Sequence, residues 1–530
     1  MPSEVKRGFA RITANYTRVI ANVGLGLLLV PMLLAGIGNE GWALIAFLGS
    51  TLGLAAMIQD IVRSSMIREL GAAYHSGQPD AFRSTYNAAV AISAVTALLA
   101  AGAFAALWFI VPWFQMSPEL IPAARWLVGA RGAQVFVVIL LAAPFNMYKV
   151  TERMVAHNAW LVANRSCYVL AAAWILITQG SDDPARSIAL WGLISAALVV
   201  VTLLLAVAGI IFIDRGLIPA PSTISRKAIK SLLRIGGWNV AATTATMLHF
   251  RVAEIIMNLA FGLGGNLILG LALRLADAVR RLAVGMTEGL DAVSTRLSTT
   301  GSPGAIRTLM HHSTRLHGVA TFPAALAMLV LTEAVLRAWI GDSLQDPQTA
   351  VPRTVTLVRI MTLGFAAQAI SDGWIRILYG AGHVARYAPL ILIGGVINPL
   401  LAGLLLLVLP ESVRYTAVVW SYCSVLITIH GALLPMIGAR ALQITYAQMV
   451  APLLPPLLIA LACSPILLLA SHRVEQWTWL TLAVTVGLYG AVYSLLCVIF
   501  VMDRLERVRF AKAALRCLPW VTSNRPGAGP

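Results

Sequence analysis

Arg251, Glu254, Arg274, Asp277, Arg280 and Arg281 lie in one long, otherwise apolar stretch, followed by Glu288 and Asp291. At about 100° per residue, Arg274, Asp277, Arg281 and Glu288 share one narrow helical stripe. Thr243, Arg251, Glu254 and Asn258 share a face of the preceding segment in the same way. Arg280 points about 60° off its stripe. The guanidinium group is a planar fork that offers two parallel hydrogen bonds to a phosphate. Arg251 with Glu254, and Arg274 with Asp277, are three residues apart and can pair within a helix. Arg18, Arg280 and Arg281 then remain as a cationic surplus, so a wet cavity lined by these side chains would attract an anion. Gln59, Asp60 and Arg63 add polar groups to another apolar run.

The elements that must position these groups follow from composition. The chain has 530 residues, 59% hydrophobic and 12% charged. Soluble domains carry about 25% charged residues, so the solvent for this surface is lipid. Backbone polar groups in lipid must be satisfied within a helix or a closed barrel. Apolar runs of roughly 20 residues are helix lengths, and the alternation of a barrel is absent. Windows at 16–36, 42–67, 84–112, 120–147, 155–178, 187–212, 232–261, 266–296, 308–340, 353–379, 385–409, 413–438, 447–470 and 475–502 predict about fourteen spans. An ionisable group at mid-bilayer costs about 2.5–3.5 kcal/mol, so the charged stripes must face protein or water.

The net charge of +17 has a topological reading. Basic residues gather in alternate loops: Arg63, Arg68 and Arg83; Lys149, Arg153 and Arg165; Arg215, Arg226, Lys227, Lys230 and Arg234; Arg296, Arg307 and Arg315; Arg376 and Arg386; Arg440; and the tail from Arg504 to Arg516. The intervening turns, such as Gly38-Asn39-Glu40-Gly41 and Gly262–Gly265, are nearly bare. The positive-inside rule places the basic set, and with it both termini, in the cytoplasm. Nucleic acid is not needed to explain the charge. The first apolar run is too long for a cleaved signal and reads as a retained anchor.

An internal repeat is visible. Gly77-Gln78-Pro79-Asp80-Ala81-Phe82-Arg83-Ser84 matches Gly301-Ser302-Pro303-Gly304-Ala305-Ile306-Arg307-Thr308 at an offset of 301 − 77 = 224. The same offset places Gly38 on Gly262 and Gly41 on Gly265. Six spans separate the copies, so both have one orientation and are related by a pseudo-twofold axis along the membrane normal. The predicted fold is an all-α integral membrane protein. It comprises a six-helix lobe at 1–213, a cytoplasmic linker at 214–228, a second six-helix lobe at 229–438, an added helix pair at 439–502 and a basic tail at 503–530.

Other polar residues have plainer readings. Arg359, Asp372 and Arg376 lie in the tenth span, the last two near its cytoplasmic end, where they can snorkel. His311, His312 and His317 open the ninth span without an accompanying carboxylate or cysteine, so they read as a solvated helix end and no metal site is expected. Asp182-Asp183 before Pro184 is a helix-capping turn. Cys167, Cys423, Cys463, Cys497 and Cys517 show no metal or disulfide spacing; all but Cys517 lie in apolar runs and read as small buried hydrophobes.

The stretch from Gly38 to Gly77 resembles the opening of Wzx-type polysaccharide flippases: a glycine turn, Trp42 at the head of a long span, Gln59-Asp60, Arg63–Arg68 and a glycine loop. Residues 262–308 resemble the matching half. Such proteins belong to the multidrug/oligosaccharidyl-lipid/polysaccharide exporter (MOP) superfamily. The resemblance implies two six-helix lobes around a central cavity. It also implies alternating-access translocation of an undecaprenyl-diphosphate-linked oligosaccharide across the bacterial inner membrane, in company with polymerase or ligase machinery. Cavity arginines hold the diphosphate in such proteins, and by position these would be Arg18, Arg251, Arg274 and Arg281. No cofactor is implied. Coupling to a proton or a sodium ion through Glu254 or Asp277 is left open. A lipid II flippase is similar in span count, but its Arg-Asp opening motif is not found around Arg7–Arg18. A drug or cation antiporter would want a cavity richer in carboxylates. A membrane glycosyltransferase would need sizeable external loops, and the longest here runs only over 341–352.

Overall fold

The computed structural model describes residues 17–18, 20–48, 66, 70–71, 73–74, 77–151, 153–178, 183–218, 225–284, 290–299, 303–344, 346–474, 476–502 and 507, with side chains between 227 and 303 described in part. The predicted residues Gln59, Asp60, Arg63, Arg68, Glu288, Gly301 and Cys517, and the side chain of Thr243, lie outside the described set.

The described chain is helical. Its helices are α1 (Ile20–Leu48), α2 (Pro79–Ile110), α3 (Leu120–Leu140), α4 (Ala142–Val150), α5 (Met154–Thr178), α6 (Pro184–Ile213), α7 (Arg226–Val284) and α8 (Leu290–Thr299). There follow α9 (Pro303–Ile340), α10 (Pro347–Gly380), α11 (Val384–Val408), α12 (Ala417–Leu426), α13 (Leu434–Leu442), α14 (Tyr446–Val450), α15 (Leu454–Arg473) and α16 (Trp479–Phe500). Among the described residues twelve helices are long and apolar enough to cross a bilayer, so this is a multi-pass membrane protein. Ile177, Phe212 and Leu407 are more than four-fifths exposed, as lipid-facing side chains should be.

The second predicted span falls mainly on residues outside the described set. The seventh and eighth meet in α7, which turns at Gly262 (φ 62°, ψ −159°). Gly38, its counterpart at the repeat offset, also has a left-handed φ of 72° within α1. Only glycine adopts that conformation without steric cost, so the repeat is visible as two matching left-handed glycines. The predicted span 120–147 is broken at Leu141: α3 ends at Leu140 and α4 starts at Ala142. Pro144 has no N–H to donate into the helix ladder, which weakens continuity at that point.

The chain divides into two compact units. The first comprises Met1–Asp277, Leu336–Phe365 and His383–Leu433. Within it α3 packs on α2 and α6, α5 on α6, and α11 on α12. A Cβ on Gly192 of α6 would sit 2.8 Å from Leu127 of α3, so glycine permits that close approach. An apolar cluster of Tyr86, Phe145, Met147, Tyr148, Leu203 and Ile210 closes one end. Its phenols are satisfied by backbone: Tyr86 donates to the Leu217 carbonyl and Tyr148 to that of Ala206, each at 2.8 Å. The predicted cap is present, since Asp183 Oδ1 accepts from the Arg186 amide at 2.9 Å.

The second unit comprises Ala278–Val335, Ala366–Gly382 and Leu434–Pro530. Here several basic residues do more than mark topology. Arg307 Nε donates to the Leu442 carbonyl at the end of α13 (2.8 Å), and Arg507 Nη2 donates to the Ile499 carbonyl at the end of α16 (2.6 Å). Arg315, counted above as a loop charge, is buried in α9 and donates to the Val501 carbonyl at 3.2 Å. Helix C-termini carry unsatisfied carbonyls and partial negative charge, so cations at the basic end of the bundle also cap its helices. His317 corrects a second expectation. It is buried rather than solvated and lies against Gly373, with Nδ1 2.7 Å from the Ser313 carbonyl. His311 is exposed.

Candidate functional site

Helix α7 places the charged residues, and its turn at Gly262 is held by amide side chains. Asn266 Nδ2 donates to the Glu254 carbonyl at 2.9 Å, tying one limb of the reversal to the other. Asn258 Oδ1 accepts from the Gln115 amide at 3.2 Å, which docks the α2–α3 connection on the same limb. Further along, Asn398 of α11 donates to the His249 carbonyl at 3.0 Å, and Ser421 of α12 donates to Asn398 Oδ1 at 2.8 Å. A buried amide in an apolar bundle must find such partners, so these residues specify where α7 sits within the first unit.

The charges on this frame fall into three settings. Arg251 Nη1 and the buried Glu254 Oε2 are 3.6 Å apart, the pairing that the spacing predicts. Arg274 is half-buried, with its guanidinium 4.7 Å from the centre of the Trp42 ring. A cation over an indole face is attracted by the ring quadrupole. This contact joins the repeat's tryptophan, at the Gly38 turn, to the limb that follows the Gly262 turn. In the second unit, Arg280 Nε donates to Asp372 Oδ2 at 2.9 Å, both side chains being partly buried.

An open cavity of about 430 Å³ lies within the first unit where the Gly38 and Gly262 turns meet the α2–α3 connection. Asn39, Glu40, Gln115, Ser117, Leu263 and Gly264 are among its walls. Ser117 Oγ donates to Glu40 Oε2 at 3.5 Å.

No protein-family model matches the sequence, and no curated protein matches it either. Solved structures do. The chain is similar to an inward-facing multidrug resistance MATE family transporter of the MOP superfamily, with TM-score 0.67 and 12% identity over 79% of this chain and 94% of that one. It is also similar to the lipid II flippase MurJ in an inward closed conformation, with TM-score 0.63 and 11% identity over 92% of this chain and 98% of that one. A third likeness is to a MOP superfamily transporter from Pyrococcus furiosus, with TM-score 0.60, 13% identity and coverage of 82% and 96%. The chain shares the fold of these transporters.

Within this fold, the predicted residues separate. Arg18, Arg251, Glu254, Arg274 and Asp277 belong to the first unit; Glu254 is buried and the other four are half-buried. Arg281 is exposed and belongs to the second unit, with α8, most of α9 and the last part of α10. Arg280 is not surplus charge, because Asp372 neutralises it. Asp372 is therefore an ion-pair partner rather than a snorkelling group. Arg376 retains a looser contact with Asp291, 3.9 Å away.

Sequence reasoning missed Arg131. It is 9% exposed, in the middle of α3. Its Nη1 donates to Gln134 Oε1 at 2.6 Å and its Nη2 to Ser195 Oγ at 3.1 Å. The guanidinium carbon lies 4.8 Å from the Tyr168 ring centre and 4.7 Å from that of Trp191. The signal was there: of the two arginines in the apolar window 120–147, Arg125 lies near its start and Arg131 well inside it, with no carboxylate three or four residues away. His249 was also passed over. It is buried edge-on to Tyr422, and neither ring nitrogen has a hydrogen-bond partner among the described residues.

Proposed function

We propose that this protein is an alternating-access flippase that moves an undecaprenyl-diphosphate-linked oligosaccharide across the bacterial inner membrane for surface polysaccharide synthesis. The observation that carries the reading is the cationic character of α7 in a MOP fold. Four arginines and two acids occupy the span Arg251–Ala283. Arg280 is taken by Asp372. Arg251, Arg274 and Arg281 then still outnumber Glu254 and Asp277, and Arg18 adds to them. Arginine in a low-dielectric chamber suits a diphosphate through paired, charge-assisted hydrogen bonds. The lipid tail would stay in the bilayer while the head passes through a hydrated path, and conformational rocking would re-expose it on the other face. Both termini are read as cytoplasmic from the loop charges, and the protein as a transporter rather than an enzyme.

The likeness to the lipid II flippase spans 92% of this chain, against 79% for the inward-facing multidrug transporter. The multidrug transporter has the higher TM-score, 0.67 against 0.63, so the preference for a lipid-linked anion over a drug rests on the arginines of α7, with lipid II as the alternative lipid. The test is transport in vesicles. Wild-type protein should flip lipid-linked glycan, and the Arg274→Ala/Arg281→Ala double variant should insert normally and fail to flip it. Full activity of the double variant removes both arginines from the site. Flipping of lipid II alone assigns the alternative, and uptake of tetraphenylphosphonium alone assigns a cation antiporter.

A further inference from the structure

We infer that the open cavity at the Gly38 and Gly262 turns is a subsite for an uncharged, hydroxyl-rich sugar ring. Resting on the flippase reading, it would hold the glycan at the outer face, where the charge pattern of the loops places both turns.

The lining carries the argument. Asn39, Glu40, Gln115 and Ser117 supply amide, carboxylate and hydroxyl groups, and Ala43, Met116, Leu263 and Leu267 supply aliphatic surface. No arginine or lysine is among the described lining residues. A phosphate is thus poorly served here, and the diphosphate-binding chemistry belongs to the arginines of α7. Amides offer donors and acceptors in one plane, a carboxylate accepts hydroxyl protons, and aliphatic side chains cover the C–H face of a ring. The cavity, at about 430 Å³, falls in the usual range for small-molecule sites, roughly 300–1,000 Å³.

Asn39 gives the independent sign of a ligand. It is 9% exposed, and its Oδ1 has no hydrogen-bond partner among the described residues. A buried acceptor left unpaired is costly; the Asn39 oxygen is enclosed as placed, and a turn of the side-chain amide would bring it to a sugar hydroxyl in the cavity that Asn39 lines. The opposite wall is held in place: Asn258 Oδ1 accepts from the Gln115 amide at 3.2 Å. Gly262 is called for by its left-handed φ rather than by crowding, since a Cβ there would stand an ordinary 3.9 Å from the Gln115 carbonyl and side-chain oxygens. A lone cation is a weaker fit. Glu40 is the one carboxylate among the described lining residues, it is exposed, and it already accepts from Ser117.

The experiment uses the full chain in lipid nanodiscs and saturation-transfer NMR with a panel of free neutral and N-acetylated hexoses. Saturable, stereoselective binding of at least one sugar is expected. Asn39→Leu and Gln115→Ala should each weaken it, and the double variant should weaken it about tenfold, the loss of two neutral hydrogen bonds. If Asn39→Leu fails to fold, Gln115→Ala with Ser117→Ala carries the test. Absence of any saturable sugar, or identical binding by the double variant, overturns the subsite. So does tetraphenylphosphonium binding that is lost in Glu40→Gln while sugars leave no signal. Vesicle transport separates the two levels. A protein that binds free sugar but moves no lipid-linked glycan refutes the flippase and keeps the subsite. A protein that flips lipid-linked glycan at an unchanged rate in the double variant, and binds no sugar, refutes the subsite and keeps the flippase.

Discussion

Arg131 on α3 and Arg280 on α7 both carry a guanidinium into helices long enough to cross a bilayer, and they are held by different chemistry. Arg280 faces a carboxylate, Asp372, at 2.9 Å. Arg131 sits in a cage of neutral groups: the Gln134 and Ser195 oxygens in the plane of the fork, and the Tyr168 and Trp191 rings against the guanidinium. The cage is itself tied together, with Gln134 Nε2 donating to the Tyr168 hydroxyl at 2.8 Å and Trp191 Nε1 to the Tyr168 carbonyl at 3.2 Å. Aromatic quadrupoles and neutral acceptors disperse a charge without cancelling it. An opposite charge cancels it but depends on its partner in return. Helices α3, α5 and α6 are thus joined by a positively charged rivet, and α7 and α10 by a neutral pair.

That difference predicts a ranking. Arg280→Met keeps volume and strands the Asp372 carboxylate, so it should cost about 3 kcal/mol, the low end for breaking a buried pair because both groups are partly exposed. Arg280→Met with Asp372→Leu should recover most of that loss, measured by unfolding in micelles. A double variant as weak as the single one would show that the pair is not the relevant interaction. Arg131→Met strands only neutral groups and should cost about 1–2 kcal/mol. A loss equal to that of Arg280→Met would mean that the cage hides a charge partner. Trp42→Leu removes the ring under Arg274 and should cost about 1 kcal/mol. Its fluorescence is a separate readout, since Arg274→Ala should alter Trp42 emission. Arg376→Ala, whose contact with Asp291 is long and half exposed, should change stability by about 0.3 kcal/mol or less. A larger change would promote this pair to the class of Arg280.

The comparison also marks what could be read in advance. The Arg251–Glu254 contact, the Asp183 cap and the burial of Cys167, Cys423, Cys463 and Cys497 are local features, set by spacing of a few residues or by surrounding apolarity. The Arg280–Asp372 bond joins residues 92 apart, and Ser195 is 64 residues from Arg131. No periodicity reports such distances. Arg280 was therefore counted as surplus, and Arg131 was not noticed. His317 was misread for a related reason: a histidine near a helix start looks solvated until Gly373 on another helix leaves room to bury it.

Hydrophobic run length, loop charge and the repeated glycine turns determined from the sequence alone that this chain crosses a membrane many times and reverses at Gly38 and Gly262. Those properties depend on each segment's own solvation and backbone freedom. Which arginine meets a carboxylate, which is wrapped in aromatic rings, and which polar groups are left facing an open cavity were decided only by packing. A buried charge takes whichever partner the fold brings within about 3 Å, and chain separation does not enter that choice.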